Sequence, residues 1–186
     1  MAGRPVDHQR RCELLDAVVD FAVEQGLSEV SWRPVAAAVG VSPTTLVHHF
    51  GTKERMLEAI MGRLRERIAA ASDEAGGAAD LPTAARAAWT RTSDPREESE
   101  FGLFFAVYGR ALQAPPQFAE FLDHVVADWM SALVQAQGPD TDPATARRTA
   151  TLVIATIRGL LLDLLATGDR DRVQDAAESF LASLER

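Results

Sequence analysis

Hydroxyls, imidazoles and isolated cations gather in one short stretch of this chain, between Arg33 and Lys53. Ser42, Thr44, Thr45, His48 and His49 lie almost side by side, with Pro43 and Val47 interleaved. A threonine hydroxyl can pair with a base edge or a phosphate, and its methyl can touch the thymine methyl. Imidazole, guanidinium and ammonium groups suit phosphate oxygens. The chemistry these types offer is recognition of duplex nucleic acid, not bond making. Pro43, Thr44, Thr45 and His48 are the expected groove-facing set, with Val47 able to add apolar contact. Arg33, His49 and Lys53 are the expected backbone anchors, and Ser42 opens the helix that carries the set.

Competing chemistries find little support. Neighbouring residues on a helix point about 100° apart, so His48 and His49 do not chelate one ion. His8 and His124 are remote in sequence, and Cys12 is the single cysteine, which excludes an intramolecular disulfide and any thiolate zinc site. His124 and Asp128 are spaced i,i+4, a local pair suited to surface or pocket hydrogen bonding. No nucleophile motif, phosphate-cradling glycine loop or acidic metal motif is present. No catalytic residue, metal or cofactor is expected.

The elements that must position the set follow from local signals. Ser31 is a predicted N-cap, Pro34 falls in a first turn where its missing N–H costs little, and Gly40 supplies a left-handed end. Ser42 caps a second short helix whose Leu46 and Phe50 form an i,i+4 apolar contact. Gly51 and Thr52 break and recap before a helix opening at Lys53. Two short helices on a tight glycine turn form a helix-turn-helix, whose second helix is free to enter a major groove. A preceding helix over 8–25, with Leu14, Val18, Phe21 and Ala22 on one face, is the predicted platform. Arg10 and Arg11 stand at its start, near the expected DNA backbone.

The run from Val35 to Lys53, with Gly40-Val41-Ser42, Thr45-Leu46, His49-Phe50 and Lys53-Glu54, resembles the N-terminal signature of TetR-family transcriptional regulators. The likeness covers roughly residues 10–57. It implies DNA binding, phosphate contacts from His49 and Lys53, an effector pocket in a middle helical bundle, and a four-helix dimer interface from the last two helices of each subunit. One position departs: the family usually has tyrosine after the leucine, and here Val47 stands there, so a phosphate hydrogen bond is lost. Trp32 also replaces a smaller residue and is expected to pack at the start of its helix.

The remaining chain reads as all-α, about nine helices in total. Predicted helices span about 53–72, 81–92, 98–114, 118–137, 143–167 and 170–185. The stretch 73–80 reads as a flexible link. The expected organisation is residues 1–55 as the DNA-binding domain and 56–186 as a helical effector-binding and dimerisation domain. The net charge of −8 fits a nucleic-acid binder only when divided. Residues 1–55 hold six basic and seven acidic residues, and the excess acid lies beyond them; local field, not total charge, steers a protein to phosphate. Lys53 is the single lysine, and this arginine and alanine usage suggests a GC-rich bacterial genome. The polar N-terminus lacks a signal-peptide core, and no fully apolar stretch, that at Gly159–Leu162 included, is long enough for a bilayer. A cytoplasmic protein is expected.

Eight of the twelve aromatic residues fall between Trp89 and Trp129, so the middle of the chain holds most of them. Trp89, Phe101, Phe104, Phe105, Tyr108, Phe121 and Trp129, with His124 and Arg158 as polar members, form a candidate apolar effector site. The expected function is a ligand-responsive regulator, a repressor released from a near-palindromic operator by a largely apolar small molecule. The expected homodimer forms through helices 143–167 and 170–185. Two readings compete: an all-α enzyme or small-molecule carrier without specific DNA binding, and a regulator without an effector.

Overall fold

A computed structural model describes residues 8–73 and 80–185, with side chains over 9–67 and 80–185. Ten α-helical segments and three 3-10 turns make up most of the described residues, and no strand occurs among them. The helices are α1 (His8–Gln25), α2 (Trp32–Ala38), α3 (Pro43–Phe50), α4 (Lys53–Asp73), α5 (Leu81–Thr92), α6 (Glu98–Gln113), α7 (Ala119–His124), α8 (Ala127–Gln135), α9 (Pro143–Thr167) and α10 (Arg170–Ser183). The flexible link read at 73–80 lies almost wholly outside the described residues.

The chain forms two compact units. One comprises the residues up to Arg67 with Gly102–Phe121; the other comprises Ile68–Phe101 with Leu122–Arg186. The boundary expected at residue 55 falls inside α4, which continues unbroken across it, and a stretch of α6 joins the first unit.

In the first unit, α1 buries Leu14, Val18, Val19 and Ala22, and α4 buries Met56, Leu57, Ile60, Met61 and Leu64. Phe21, expected on the buried face of α1, is only half-buried. The two helices are also clamped by charge. Arg63 donates to both carboxylate oxygens of Asp16, at 2.7 and 3.1 Å. Arg67 donates to Asp20 at 2.7 Å and to Asp16 at 3.2 Å. The Arg63 guanidinium, then that of Arg67, holds the Asp16 carboxyl below its ordinary value despite the opposing cost of burial.

In the second unit, Asp80 caps α5 by accepting the Thr83 N–H at 2.9 Å, and Trp89 donates its indole N–H to Gln174 of α10 at 2.9 Å. Arg170 donates to the Ser93 carbonyl at 2.7 Å and pairs with Glu98, tying α10 to the entry of α6. Asp142 accepts the Thr145 N–H at 2.9 Å with Pro143 at the first helical position, where its missing N–H costs nothing. Gly168, at φ 68°, closes α9 in the left-handed conformation.

The body departs from a purely local reading at α7–α8 and along α9. The helix predicted over 118–137 is broken at Val125 and Val126. Two consecutive β-branched residues favour helix weakly, and the Val125 carbonyl accepts from the Arg158 guanidinium. Along α9, Val153, Ile157, Leu161 and Leu164 are buried, but Leu152 is 60% exposed and Leu160 only half-buried, so its apolar run is not all core. Finally, α9 as a whole is long and apolar enough to cross a membrane by length and composition, although its longest uninterrupted apolar run is short. Seven of its residues are buried within the fold, which is the behaviour of a core helix with one uncovered side.

Candidate nucleic-acid interface

The local geometry of α2 and α3 follows from their capping residues. Ser31 stands at the N-cap of α2 in extended conformation, but its side chain makes no capping hydrogen bond, contrary to expectation. The other end is orthodox: Gly40 has φ 70°, and the Val41 N–H reaches back to the Ala36 carbonyl at 3.0 Å. That six-to-one bond across a left-handed glycine sets the sharp turn into α3. Ser42 then caps α3 by accepting the Thr45 N–H at 3.1 Å.

Burial divides α3 cleanly. Leu46 and Phe50 are buried, whereas Pro43, Thr44, Val47 and His48 are exposed. Positions i, i+1, i+4 and i+5 lie on one side of a helix, so these four form a single outward face. The face carries no carboxylate and no permanently cationic side chain. His49 is half-buried beside it, its ring meeting that of His48 edge-on with centroids 5.3 Å apart.

Thr45 differs from its sequence reading. Its hydroxyl lies 2.8 Å from that of Ser42, so the side chain is half-buried and engaged in the cap. The spacing Ser-x-x-Thr, with the hydroxyl three residues after the cap, is the sequence signal for this bond. Thr44 and His48 are left as the polar members of the outward face.

Two of the expected anchors stand on the flanking helices. Arg33 is exposed on α2, and Lys53 is exposed as the first residue of α4. Thr52 caps that helix, accepting the Arg55 N–H at 3.2 Å. The Glu54 backbone N–H and the Thr52 hydroxyl hold the Glu54 carboxyl below its ordinary value, with Lys53 adding to the effect. A fixed negative charge thus sits beside Lys53 and limits how far one lysine can act as a general phosphate attractor.

The aromatic candidates divide between the two units. In the first, Phe104 and Phe121 are buried and Phe105 and Tyr108 half-buried. Phe104 lies 5.9 Å from Tyr108 and 6.2 Å from Phe121, and Tyr108 lies 6.1 Å from Phe121, centroid to centroid. In the second, Trp89 and Phe101 are buried, with the Trp89 N–H satisfied by Gln174. Trp129 is half-buried with the Arg158 guanidinium over its ring at 5.6 Å. His124 is exposed. Phe105 meets Phe104 edge-on at 5.5 Å, so the structure groups Phe104, Phe105, Tyr108 and Phe121, and separately Trp129 and Arg158. Among the described residues, no three His, Cys, Asp or Glu side chains converge as a metal site would need.

The family model for bacterial regulatory proteins of the tetR family matches residues 14–60, which contain α2, α3 and the start of α4. The regulator BetI from Burkholderia thailandensis is 30% identical over 158 residues, covering 82% of this chain and 80% of that protein. The repressor KstR2 from Rhodococcus jostii is 36% identical over 72 residues, a match spanning 35% of its length. Among solved structures, a transcriptional regulator from Rhodococcus sp. Rha1 superposes with a TM-score of 0.78 at 26% identity, covering 93% of this chain and 94% of that one.

Proposed function

The chain belongs to the TetR family of bacterial transcriptional regulators, and from that premise we propose that it is an effector-responsive repressor acting on a near-palindromic operator. Residues 1–55 serve as the reading head, and residues 56–186 supply effector binding and dimerisation. The observation that carries the reading is the outward face of α3, formed by Pro43, Thr44, Val47 and His48 and flanked in sequence by the exposed cations Arg33 and Lys53. Base edges are met by the α3 face, and phosphates by Arg33, His49 and Lys53.

A single eight-residue helix reads too little sequence to select one site, so the operator complex is a homodimer. The uncovered side of α9 supports this: Leu152 and Leu162 are 60% and 52% exposed, in line with Ala155 and Gly159. Together with the outer side of α10, this face pairs with its own copy about a two-fold axis, leaving half-sites about 34–36 Å apart or a multiple of that. The protein works in the cytoplasm.

The effector is a small, largely apolar molecule met by the aromatic group around Tyr108. Its half-buried ring beside Phe104 and Phe121 offers apolar area with one hydroxyl. The effector must bind the two conformers unequally, and a coupling of about 1–3 kcal/mol would shift operator affinity roughly 5- to 150-fold. Selection of bound duplexes from a random pool, followed by footprinting across a salt series, tests the core of the reading. A protected near-palindrome is the expected result, and no protection at any ionic strength refutes it. Release of that duplex by apolar aromatic compounds, lost in Tyr108→Ala, tests the effector.

A further inference from the structure

We propose that α3 reads its operator chiefly through the 5-methyl groups of thymine, with Val47 making the decisive contact. This rests on the operator-binding function proposed above and specifies what the reading face recognises.

Residue types carry the first step. Sequence-specific pairing to purines in the major groove comes mainly from bidentate arginine, lysine, asparagine or glutamine, and cytosine is met by carboxylates. The α3 sequence PTTLVHHF contains none of these. Hydrogen-bond readout from this helix is therefore confined to hydroxyl and imidazole groups, each offering a single contact in place of a fork.

Geometry removes part of that remainder. Thr45 holds its hydroxyl against that of Ser42 at 2.8 Å and is half-buried, so it is less available to a base edge than Thr44. His49 is likewise half-buried. What the helix presents outward is Pro43, the hydroxyl and methyl of Thr44, the isopropyl group of Val47, and the His48 imidazole. Three of the four side chains offer carbon.

Val47 is the most telling of them. It is 43% exposed, one of four large apolar side chains so placed among the described residues. A solitary exposed valine is ordinary on a general surface. This one occupies the middle of the outward face, between Thr44 and His48, on the helix whose opposite side holds Leu46 and Phe50 in the core. Nothing polar on Val47 competes for water or phosphate, so entering a groove gains only by meeting carbon there. The one carbon group that distinguishes a base pair in the major groove is the thymine methyl. His48, one turn on from Thr44, then supplies the remaining polar contact of each half-site.

Deoxyuridine keeps the O4 acceptor and the pairing of thymine and lacks only the methyl, so it isolates the contact without altering the protein. The operator obtained by selection is resynthesised with each symmetric pair of thymines replaced by deoxyuridine, and affinities are measured with the full chain and with Val47→Ala. Burying one methyl corresponds to roughly a fourfold change in affinity, so loss from both half-sites is expected to weaken binding roughly fifteenfold for at least one pair. In Val47→Ala the thymine and deoxyuridine duplexes at that pair should bind alike. Equal binding of every deoxyuridine duplex by the native chain overturns the proposal while leaving operator binding intact. Persistence of the thymine preference in Val47→Ala overturns the assignment to Val47. If selection recovers no duplex, operator binding fails and this inference falls with it.

Discussion

The uncovered faces of α3 and α9 both expose apolar side chains, yet they are built for different neighbours. On α3, Val47 stands among a hydroxyl, an imidazole and a proline ring on a helix of eight residues. On α9, Leu152 and Leu162 stand in line with Ala155 and Gly159 on a helix of twenty-five. A short face with mixed polar and apolar groups has too little area to hold a protein partner, but it matches the alternating donors, acceptors and methyls of a groove. A long face with small residues between leucines lets another helix approach closely and bury the leucines. The same type of residue, exposed to a similar degree, therefore points to different partners, because element length and the residues around it differ.

Breaking the α9 face should have the largest effect. Leu162→Glu places a carboxylate in the proposed self-complementary surface twice, once from each copy, where native leucine burial would be worth roughly 1.5–3 kcal/mol per side chain. Sedimentation should show a monomer at micromolar concentration, and operator affinity should fall by about two orders of magnitude or more. A dimer that survives this change would assign the interface elsewhere and remove the contrast with α3. The next effect is expected at the proposed anchors. Lys53→Ala should weaken all duplexes alike, by roughly tenfold, and lower the salt dependence by about one phosphate contact per subunit. A change in base preference, in place of a uniform loss, would move Lys53 into the reading set.

The reading head was more legible in the sequence than the body, and the reason is the range of the forces involved. Gly40 at positive φ, the Ser42 cap and the Gly51 break act over a few residues, so their types and spacing reveal them directly. Leu46 and Phe50 share a face by helical period alone. In the body, the paired valines at 125 and 126 only weaken helix locally, and the Arg158 guanidinium that meets the Val125 carbonyl lies far along the chain, so the local pattern announces the break poorly. The aromatic residues were legible as a group but not in their roles. Trp89 is a core residue pinned by Gln174, whereas Trp129 lies half-buried under a guanidinium. Leu152 reads as core within an apolar run and is exposed, because rotation about a long helix is set by the helices that pack on it and not by its own sequence.

The cap of α3 offers a finer comparison between recognition and scaffolding. Ser42→Ala removes the acceptor of the Thr45 N–H and frees the Thr45 hydroxyl. Loss of such a cap costs about 1 kcal/mol, so thermal unfolding should begin at lower temperature. If Thr45 is purely a scaffold residue, base preference in a selection should stay unchanged. A new preference at one position would mean that the cap had been holding a reader in reserve.

The smallest effect is expected at the α1–α4 clamp, and it has a definite pH signature. Asp16 carries the fork from Arg63 and a further bond from Arg67, and its carboxyl is held below the ordinary value of 3.8 chiefly by Arg63. A carboxyl whose folded pKa lies below its unfolded one stabilises the fold above the unfolded value, and that contribution fades as pH falls through the folded value. Asp16→Asn should therefore be less stable than the native chain at neutral pH and converge with it in acid, below 3.8. Asp16 and Arg63 are 36% and 37% exposed, so water screens the pair and the difference at neutral pH should be about 1 kcal/mol or less. Urea unfolding of both chains across an acid series would measure it. A gap that persists undiminished at the acid end would mean that the clamp acts through the shape of the side chain, with its charge irrelevant to how α1 and α4 are held together.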